Sequence, residues 1–440
     1  MATNAIVRVL RHLVGALALV GTSSMALATD MEQEEALDAV DQNRVLVPYA
    51  FYNKSTDAAV GLAWAATGYV QPQMSFVVNG FYSANESSQL FVRAANAQVP
   101  FLPRLFANAW MFAADWGETD SYQNGNPAFP DEIAGGNDSD EDNFIRAEGT
   151  DNYYRVELEY LLPIGDGRGN PIHTFRMRNG ILVNGYEAGA REWNPLTSGR
   201  TKIEFHPFYR HQELEDEFDN EYDLETLGLT LGLVYDNTDW SRNPSRGSRM
   251  RFAVSRDWGT LGDDAPEWTS LEFEYSKYFD LGPSTRSRKR VLAANIWTSH
   301  VLTWNDSHFD DQGRKVLHRP PLFVGSSLGG LDRQRGFASD RFHDRSALNY
   351  TLEYRVMPHW SPFPNIPLIK KLNIPWWQWV VFMEAGRVAD EWDIGEFHKD
   401  MKFSFGGGVR ISVEGLIIRA DLAASKEGGE VQMFIGHAFE

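Results

Sequence analysis

The chain has 440 residues, with 60 acidic and 41 basic side chains and no cysteine. The absence of cysteine excludes disulfides, thiolate metal sites and cysteine nucleophiles, and the net charge of -19 argues against a nucleic-acid partner, whose phosphates attract a basic surface. A mean hydropathy of -0.38 argues against a helical membrane protein. It does not argue against a membrane β-barrel, in which alternation hides the apolar residues from such averages.

The first 28 residues have the pattern of a secretory signal peptide. Arg8 and Arg11 form a basic start, residues 13–20 form a short apolar core, and Ala26 and Ala28 are the small residues that a signal peptidase reads. The alternative is a buried helix. We expect cleavage after Ala28 and export. Residues 29–44 are then a short acidic N-terminal segment, too short for an independent domain.

The following chain alternates apolar and polar residues with a period of two. Tyr154, Val156 and Tyr160 point to one face of a predicted strand, and Glu157 and Glu159 point to the other. In a soluble sandwich the polar face meets water, whereas in a membrane barrel it lines the lumen. The signal peptide and the aromatic residues at many predicted strand ends favour the barrel.

The alternation marks one candidate strand more than an even-numbered bacterial barrel allows, so we predict sixteen strands and expect the surplus between residues 152 and 211. The candidates are 45–52, 58–68, 72–84, 88–97, 105–114, 152–163, 172–184, 200–211, 227–237, 248–257, 269–279, 289–302, 346–356, 377–387, 403–413, 416–425 and 431–439. Residues 115–151 and 303–345 are predicted long loops, 212–225 an acidic connector, and 165–171 a short turn.

A glycine pair followed by an Arg-Gly-aromatic triplet stands in the second long loop, and a strand ending in Glu-x-Arg follows it. The residues are Gly329, Gly330, Arg335, Gly336 and Phe337, followed by Glu353 and Arg355. This pattern resembles the bacterial surface antigen family, the BamA/TamA-type barrels of the outer membrane. Further segments that resemble the family follow in order at 229–236, 244–247, 382–386, 405–410, 417–422 and 431–439. The resemblance is strongest over 227–440.

The resemblance implies an all-β fold: a sixteen-stranded antiparallel transmembrane β-barrel over residues 45–440, with the long loop folded into the lumen. It also implies that Arg335 pairs with Glu384 on the wall, in the motif that contains Gly386. Gly436 and Phe439 match the closing strand, which serves as a seam and an insertion signal. With only residues 29–44 ahead of the barrel, we expect a member without POTRA domains.

Each of the other charged clusters in the sequence has two possible interpretations. Asp332, Arg333, Asp340, Arg341, Asp344 and Arg345 form either an ion-pair network in the lumen or a solvated mixed-charge loop. Asp138, Asp140 and Asp142 supply hard oxygens for a loosely held calcium ion, or belong to a solvated loop. The basic residues at 286–290 contact lipid phosphates or simply flank a strand.

No enzyme or cofactor motif emerges. His206 and His211 lie near Glu204 and Glu213 as weak zinc or acid-base candidates, and the adjacent Ser299 and His300 face opposite sides of a strand. We therefore expect no catalytic residues and no cofactor.

The expected function is to insert or translocate proteins or lipids at the bacterial outer membrane. The expected partners are outer-membrane lipid and lipopolysaccharide, with client polypeptides or a periplasmic subunit. The alternative is a passive pore or structural barrel without a client.

Overall fold

The computed structural model describes residues 32–36, 42–53, 57–122, 125–178, 180–182, 192–261, 267–304, 306–309, 315–318, 320–330, 332–365, 374–413 and 416–435. Their dominant element is one sheet of sixteen strands. The signal peptide at 1–28, Gly436 and Phe439 lie outside the described residues.

The sixteen strands follow one another along the sheet in chain order, each antiparallel to the next. They are β1 Asn43–Asn53, β2 Asp57–Thr67, β3 Ser75–Ser83, β4 Ser88–Gln98, β5 Leu105–Ser121, β6 Ile145–Leu161, β7 Arg200–Asp216, β8 Glu221–Asp236, β9 Gly247–Trp258, β10 Glu267–Asp280, β11 Ser287–Val301, β12 Ser346–Pro358, β13 Trp377–Ala389, β14 Lys402–Val413, β15 Leu416–Ser425 and β16 Gly428–Ile435.

The remaining elements are short and lie in the connections. They are the strands Glu32–Ala36, His173–Arg178, Ile181–Leu182, Asp306–Phe309, Lys315–His318, Ser326–Leu328 and Phe342–Asp344, the 3-10 turns Gly165–Arg168, Leu322–Val324 and Phe363–Asn365, and the α-helix Ile394–Phe397. None of the helices in the described part of the chain is long and apolar enough to cross a bilayer.

The two faces of the sheet are inverted relative to a soluble protein. Tyr154 and Val156 are each 44% exposed, whereas Glu157 and Glu159 on the alternate positions of β6 are buried. A soluble sandwich buries its apolar face, whereas a membrane barrel turns that face to lipid and its polar face to the lumen. The prediction of a sixteen-stranded antiparallel transmembrane β-barrel is confirmed.

Both ends of the sheet contribute to one apolar cluster inside the barrel. Val45 on β1 and Phe91 on β4 belong to the same cluster as Ile411 and Val413 on β14. Because β1 and β14 lie at opposite ends of the strand order, their side chains meet only when the sheet curves round on itself. This packing fills part of the lumen.

The surplus strand is at residues 172–184, within the stretch where the sequence predicts it. His173–Arg178 and Ile181–Leu182 form a separate three-stranded sheet, in which Glu32–Ala36 pairs parallel to His173–Arg178. The prediction of a short turn at 165–171 is wrong, because those residues begin a long connection from β6 to β7. Phe175 packs there against Trp240 and Trp376, so its burial comes from the end of the barrel rather than from lipid.

The predicted acidic connector at 212–225 is also mostly strand. β7 continues to Asp216 and β8 starts at Glu221. The hairpin keeps its backbone ladder through this acidic stretch, and Tyr209 donates a hydrogen bond to Glu225 across it. Apolar alternation marks lipid contact, so it does not detect a strand that projects past the bilayer.

The lipid face predicts a strong effect for a charge near the middle of β8. Leu231 is 50% exposed there, next to the buried Thr230 on the lumen side. We expect Leu231→Arg to lower the free energy of unfolding in phospholipid vesicles by about 2–4 kcal/mol, the cost of an arginine facing the bilayer interior. Guanidinium titration followed by tryptophan fluorescence measures it, with Leu231→Met as the matched control. Equal stability of the two variants would contradict the orientation of β8.

Candidate functional site

The long connection from β11 to β12 folds back into the barrel. Its strands Ser326–Leu328 and Phe342–Asp344 pair with each other, and the turn between them carries the Arg-Gly-Phe triplet. Gln334, Arg335 and Phe337 are all buried. We call residues 326–344 the lumen loop.

Arg335 is the centre of the contacts between the lumen loop and the wall. The structure brings Arg335 and Glu384 together: the Arg335 backbone N–H donates to Glu384 Oε2 at 2.7 Å and its Nε to Oε1 at 3.0 Å. Its Nη1 donates to Glu353 and to Asp421, both at 2.9 Å. The guanidinium also lies 3.5 Å from the centroid of the Phe382 ring. One arginine thus joins β12, β13 and β15.

A wider network of buried charges surrounds this contact. Arg355 Nε donates to Glu353 at 2.8 Å, Arg419 Nε lies 3.1 Å from Asp421 Oδ2, and Arg410 also donates to Asp421. Burial lowers the pKa of Arg335, but the facing carboxylates of Glu384, Glu353 and Asp421 outweigh it and hold that pKa above its ordinary value. Arg335 therefore keeps its charge where it faces these carboxylates.

The glycines of this motif and its wall contact are needed for two different structural reasons. Gly329 and Gly330 have φ of +118° and +98°, which side chains rarely adopt. Gly336 serves close approach instead, since a Cβ there would lie 2.7 Å from the Ala424 carbonyl carbon on β15. Gly386 on β13 also allows close approach of the loop to the wall, because a Cβ there would lie 2.8 Å from Gln334 Nε2.

Phe337 anchors the lumen loop in an apolar cluster. Its ring meets that of Phe342 edge-on at 5.0 Å between centroids. The cluster also contains Trp297 from β11 and Val388 from β13. The loop is therefore held by apolar packing as well as by the ion pairs of Arg335.

The other charged residues in and beside the lumen loop contact partners different from those of Arg335. Arg341 donates to Ser139, to the Asp140 carbonyl and to Glu427 Oε2, the last at 2.8 Å. Arg333 lies 3.9 Å from the Trp297 ring centroid, and Asp340 accepts from Ser327 at 2.7 Å while burial raises the pKa of Asp340. Asp344 accepts from the Arg345 backbone N–H, Arg345 Nε donates to the Val301 carbonyl, and Asp332 is exposed.

The acidic residues of the first long loop lie where that loop packs on the lumen loop. Asp138 lies 3.6 Å from Lys402, and Asp142 donates its backbone N–H to Asp140. Among the described residues, two other groups have metal-capable atoms within 4.8 Å of one another: Glu159 with Glu204 and His206, and His211 with Glu213 and Asp223. The first group is already paired with cations, because Lys202 binds Glu159 at 3.0 Å and Arg251 binds Glu204 at 2.9 Å.

The serine and histidine candidates do not meet each other. Ser299 accepts a hydrogen bond from Ser326 at 2.9 Å, and the His300 ring contacts Ser346 at 2.8 Å. In the basic segment, Arg288 and Arg290 donate to backbone carbonyls of Pro358 and Gly282. These two arginines therefore cap turns at the ends of strands.

The sequence prediction missed Asp421 and Gln432 as partners of the loop, and it missed Arg410 as a partner of Asp421. Gln432 on β16 donates its Nε2 to the Arg335 carbonyl at 3.1 Å. The alternation of β15 could have indicated such partners, because Arg419 and Asp421 stand at alternate positions on its lumen face. Both side chains are buried. A charge on the lumen face of a late strand is the pattern that marks such a partner.

A cavity of about 1070 Å³ remains beside the lumen loop. Its lining comes from β4 to β11 and β16 on the wall, from the first long loop and from the lumen loop. The loop lies beside this cavity, and its ion pairs are with β12, β13 and β15.

Comparisons with known proteins place these features in a family context. Residues 137–439, more than half of the chain, match the Omp85 superfamily domain. No curated protein matches the chain in sequence.

Solved structures also resemble the chain. CdiB from Escherichia coli is 10% identical with a TM-score of 0.52, covering 90% of this chain and 61% of that chain. CdiB from Acinetobacter baumannii is 10% identical with a TM-score of 0.47, covering 90% and 58%. A BamA from Haemophilus ducreyi lacking POTRA domains 1-3 is 12% identical with a TM-score of 0.46, covering 98% and 77%. The chain thus spans about three fifths of the CdiB chains, and the likeness to Escherichia coli CdiB supports the fold.

Proposed function

Because the chain belongs to the Omp85 superfamily, a family of outer-membrane barrels, we propose that it inserts or translocates client polypeptides at the outer membrane. It reaches that membrane by export through the signal peptide at 1–28, and it performs no enzymatic reaction. Its partners are the unfolded client, the surrounding lipid and lipopolysaccharide, and a periplasmic subunit that delivers the client.

One observation carries the proposal: the lumen loop is bonded to the last strands of the sheet. Arg335 binds Asp421 on β15, and the Arg335 carbonyl accepts from Gln432 on β16. The strand order begins with β1 and ends with β16. A strand edge at this seam is a template for an incoming strand, and the loop sets the position of that edge.

The lumen loop also weighs against a wide passive pore. Such a pore needs an open lumen, whereas Arg335 and Phe337 are buried between the loop and the wall. Ion pairs on β12, β13 and β15 hold the loop in place. The geometry supports a positioned element inside the barrel rather than an open channel.

Client insertion in liposomes tests the proposal. We expect the reconstituted wild-type barrel to accelerate the insertion of an unfolded outer-membrane protein, and Arg335→Lys to lose most of that acceleration. Lysine keeps the charge but cannot bridge several carboxylates with a planar fork. Arg246→Lys is the matched control, because Arg246 is exposed in the connection between β8 and β9. No acceleration by a correctly folded wild type, or full activity of Arg335→Lys, would contradict the proposal.

A further inference from the structure

The connection from β13 to β14 folds back onto the lipid side of the wall. We call residues 390–401 the outer segment, and it contains the α-helix Ile394–Phe397. Phe397 is fully buried in an apolar cluster outside the barrel. The wall residues of that cluster share the outward face of β11, β12 and β13, and they are Ile296, Leu348, Tyr350 and Ala389. The outer segment therefore covers a patch of wall that would otherwise contact lipid.

Two leucines on β12 show how the outer segment changes the lipid face. Leu348 and Leu352 are four residues apart, so they point to the same side of the strand. Leu352 is 39% exposed, whereas Leu348 is only 5% exposed. The difference arises because Phe397 packs in one cluster with Leu348, whereas Leu352 stays outside it.

Hydrogen bonds hold the outer segment along one row of the sheet. Trp392 Nε1 donates to Thr298 Oγ1 on β11 at 2.8 Å, and Arg387 on β13 donates to the Lys399 carbonyl. Thr298 pairs with Leu348, which pairs in turn with Arg387, so the contacts lie in one row across three strands. The outer segment is thus a fixed part of the outer surface rather than a loop that projects from it.

The depth of this row follows from strand geometry. Val356 and Trp379 pair near the other end of β12 and β13, where Trp379 is exposed and its ring lies 5.9 Å from that of Tyr354. Leu348 is eight residues from Val356, which at about 3.4 Å per residue and a tilt of about 40° corresponds to about 20 Å across the membrane. The apolar band of such barrels is about 25 Å tall, with an aromatic girdle at each interface. The outer segment therefore lies at the level of the second girdle.

The outer segment presents large apolar side chains at this level. Trp392 is 47% exposed and Ile394 is 62% exposed. Because Trp392 has its N–H bonded to the wall, its ring can enter an apolar environment without losing a hydrogen bond. Glu391 and Asp393 beside it are exposed and supply charged groups for the headgroup region. This combination is typical of side chains that belong at a membrane–water interface.

We propose that the outer segment is a membrane anchor, in which Trp392 and Ile394 enter the boundary between the headgroups and the acyl chains of the surrounding lipid. Lipid is the occupant because the covered patch adjoins the row of Leu352 and Met383, which is exposed on the lipid face. The anchor ties β11 to β13 to the bilayer. This inference goes beyond the proposed function, because it concerns the lipid side of the wall and holds whether or not the barrel inserts a client.

Quenching by brominated lipids tests the anchor. Because the chain contains no cysteine, Ile394→Cys gives a single site for a thiol-reactive NBD fluorophore. The labelled barrel is reconstituted in phosphatidylcholine vesicles whose acyl chains carry bromine either near the headgroup or near the chain end. We expect a marked loss of emission with the shallow bromines and a smaller loss with the deep ones, because interfacial apolar side chains lie only about 5–10 Å into the boundary.

Two further labelled variants serve as matched controls. Met383→Cys lies on the lipid face of β13 and should be quenched more by the deep bromines than by the shallow ones. Ile133→Cys lies in the first long loop, where Ile133 is exposed, and should keep its emission in both kinds of vesicle. The heat-dependent gel shift of each variant reports whether the barrel has formed, and a labelled Trp392→Cys replaces Ile394→Cys if the latter does not fold.

Two outcomes would overturn the inference. Emission at position 394 as insensitive to bromine as that at position 133 would place the outer segment in water. Quenching at position 394 by the deep bromines as strong as that at position 383 would place it in the hydrocarbon interior instead of at the interface.

Discussion

Replacing Arg335 with alanine is expected to lower the free energy of unfolding of the barrel by about 3–5 kcal/mol. The substitution leaves three buried carboxylates, Glu353, Glu384 and Asp421, without the guanidinium that they share. Removing one partner of a buried ion pair is costly, because the remaining charge stays in a poorly solvated site. Guanidinium titration in detergent micelles, followed by tryptophan fluorescence, measures the change.

A double-mutant cycle separates the Arg335–Glu384 contact from general damage. Arg335→Ala and Glu384→Gln, alone and combined, should be non-additive by more than the error of about 0.5 kcal/mol. Arg246→Ala is the control on an exposed arginine and should change stability by less than about 0.5 kcal/mol. Additive effects would contradict a direct contact between Arg335 and Glu384. An Arg335→Ala variant as stable as the wild type would contradict the claim that Arg335 holds the lumen loop to the wall.

Most barrel strands were predictable because lipid imposes a simple rule on them. A strand that contacts lipid on one face and a polar lumen on the other alternates without interruption, as Tyr154 to Tyr160 do on β6. The same rule failed at His173–Arg178. That segment alternates because it packs on the end of the barrel, where Phe175 meets Trp240 and Trp376. Periodicity reports that one face of a strand is covered, but not what covers it.

Only the part of the candidate site that lies within the family motif was predictable from the sequence. The pair of Arg335 with Glu384 follows from the resemblance, and its geometry in the structure is a direct contact. The further partners Asp421 and Gln432 are 86 and 97 residues from Arg335 along the chain. Their encounter depends on the curvature that brings β15 and β16 to the loop, and no local pattern encodes that curvature.

Adding a side chain at Gly336 should detach the lumen loop while leaving the barrel formed. A Cβ at this position would lie 2.7 Å from the Ala424 carbonyl carbon, 2.8 Å from its oxygen and 3.0 Å from Ser404 Cβ. Two of these atoms are strand backbone and cannot rotate away. We therefore expect Gly336→Val to push the loop off β15, and the neighbouring Arg335 to lose its bonds to Asp421 and Gln432.

The detached loop should become a substrate for protease, because buried backbone around Phe337 is then exposed. Limited proteolysis of the folded barrel measures the exposure of the loop. We expect cleavage to be at least about tenfold faster in Gly336→Val than in the wild type, which corresponds to a fall of about 1.4 kcal/mol or more in the free energy of loop opening. Gly336→Ala should lie between the two. Gly169→Ala is the matched control, since a Cβ there meets nothing within 4 Å. Retained heat-dependent mobility on gels would establish that the barrel itself had formed. Unchanged cleavage in Gly336→Val would mean that the loop tolerates displacement from β15, and the link between the loop and the last strands would then rest on Arg335 alone.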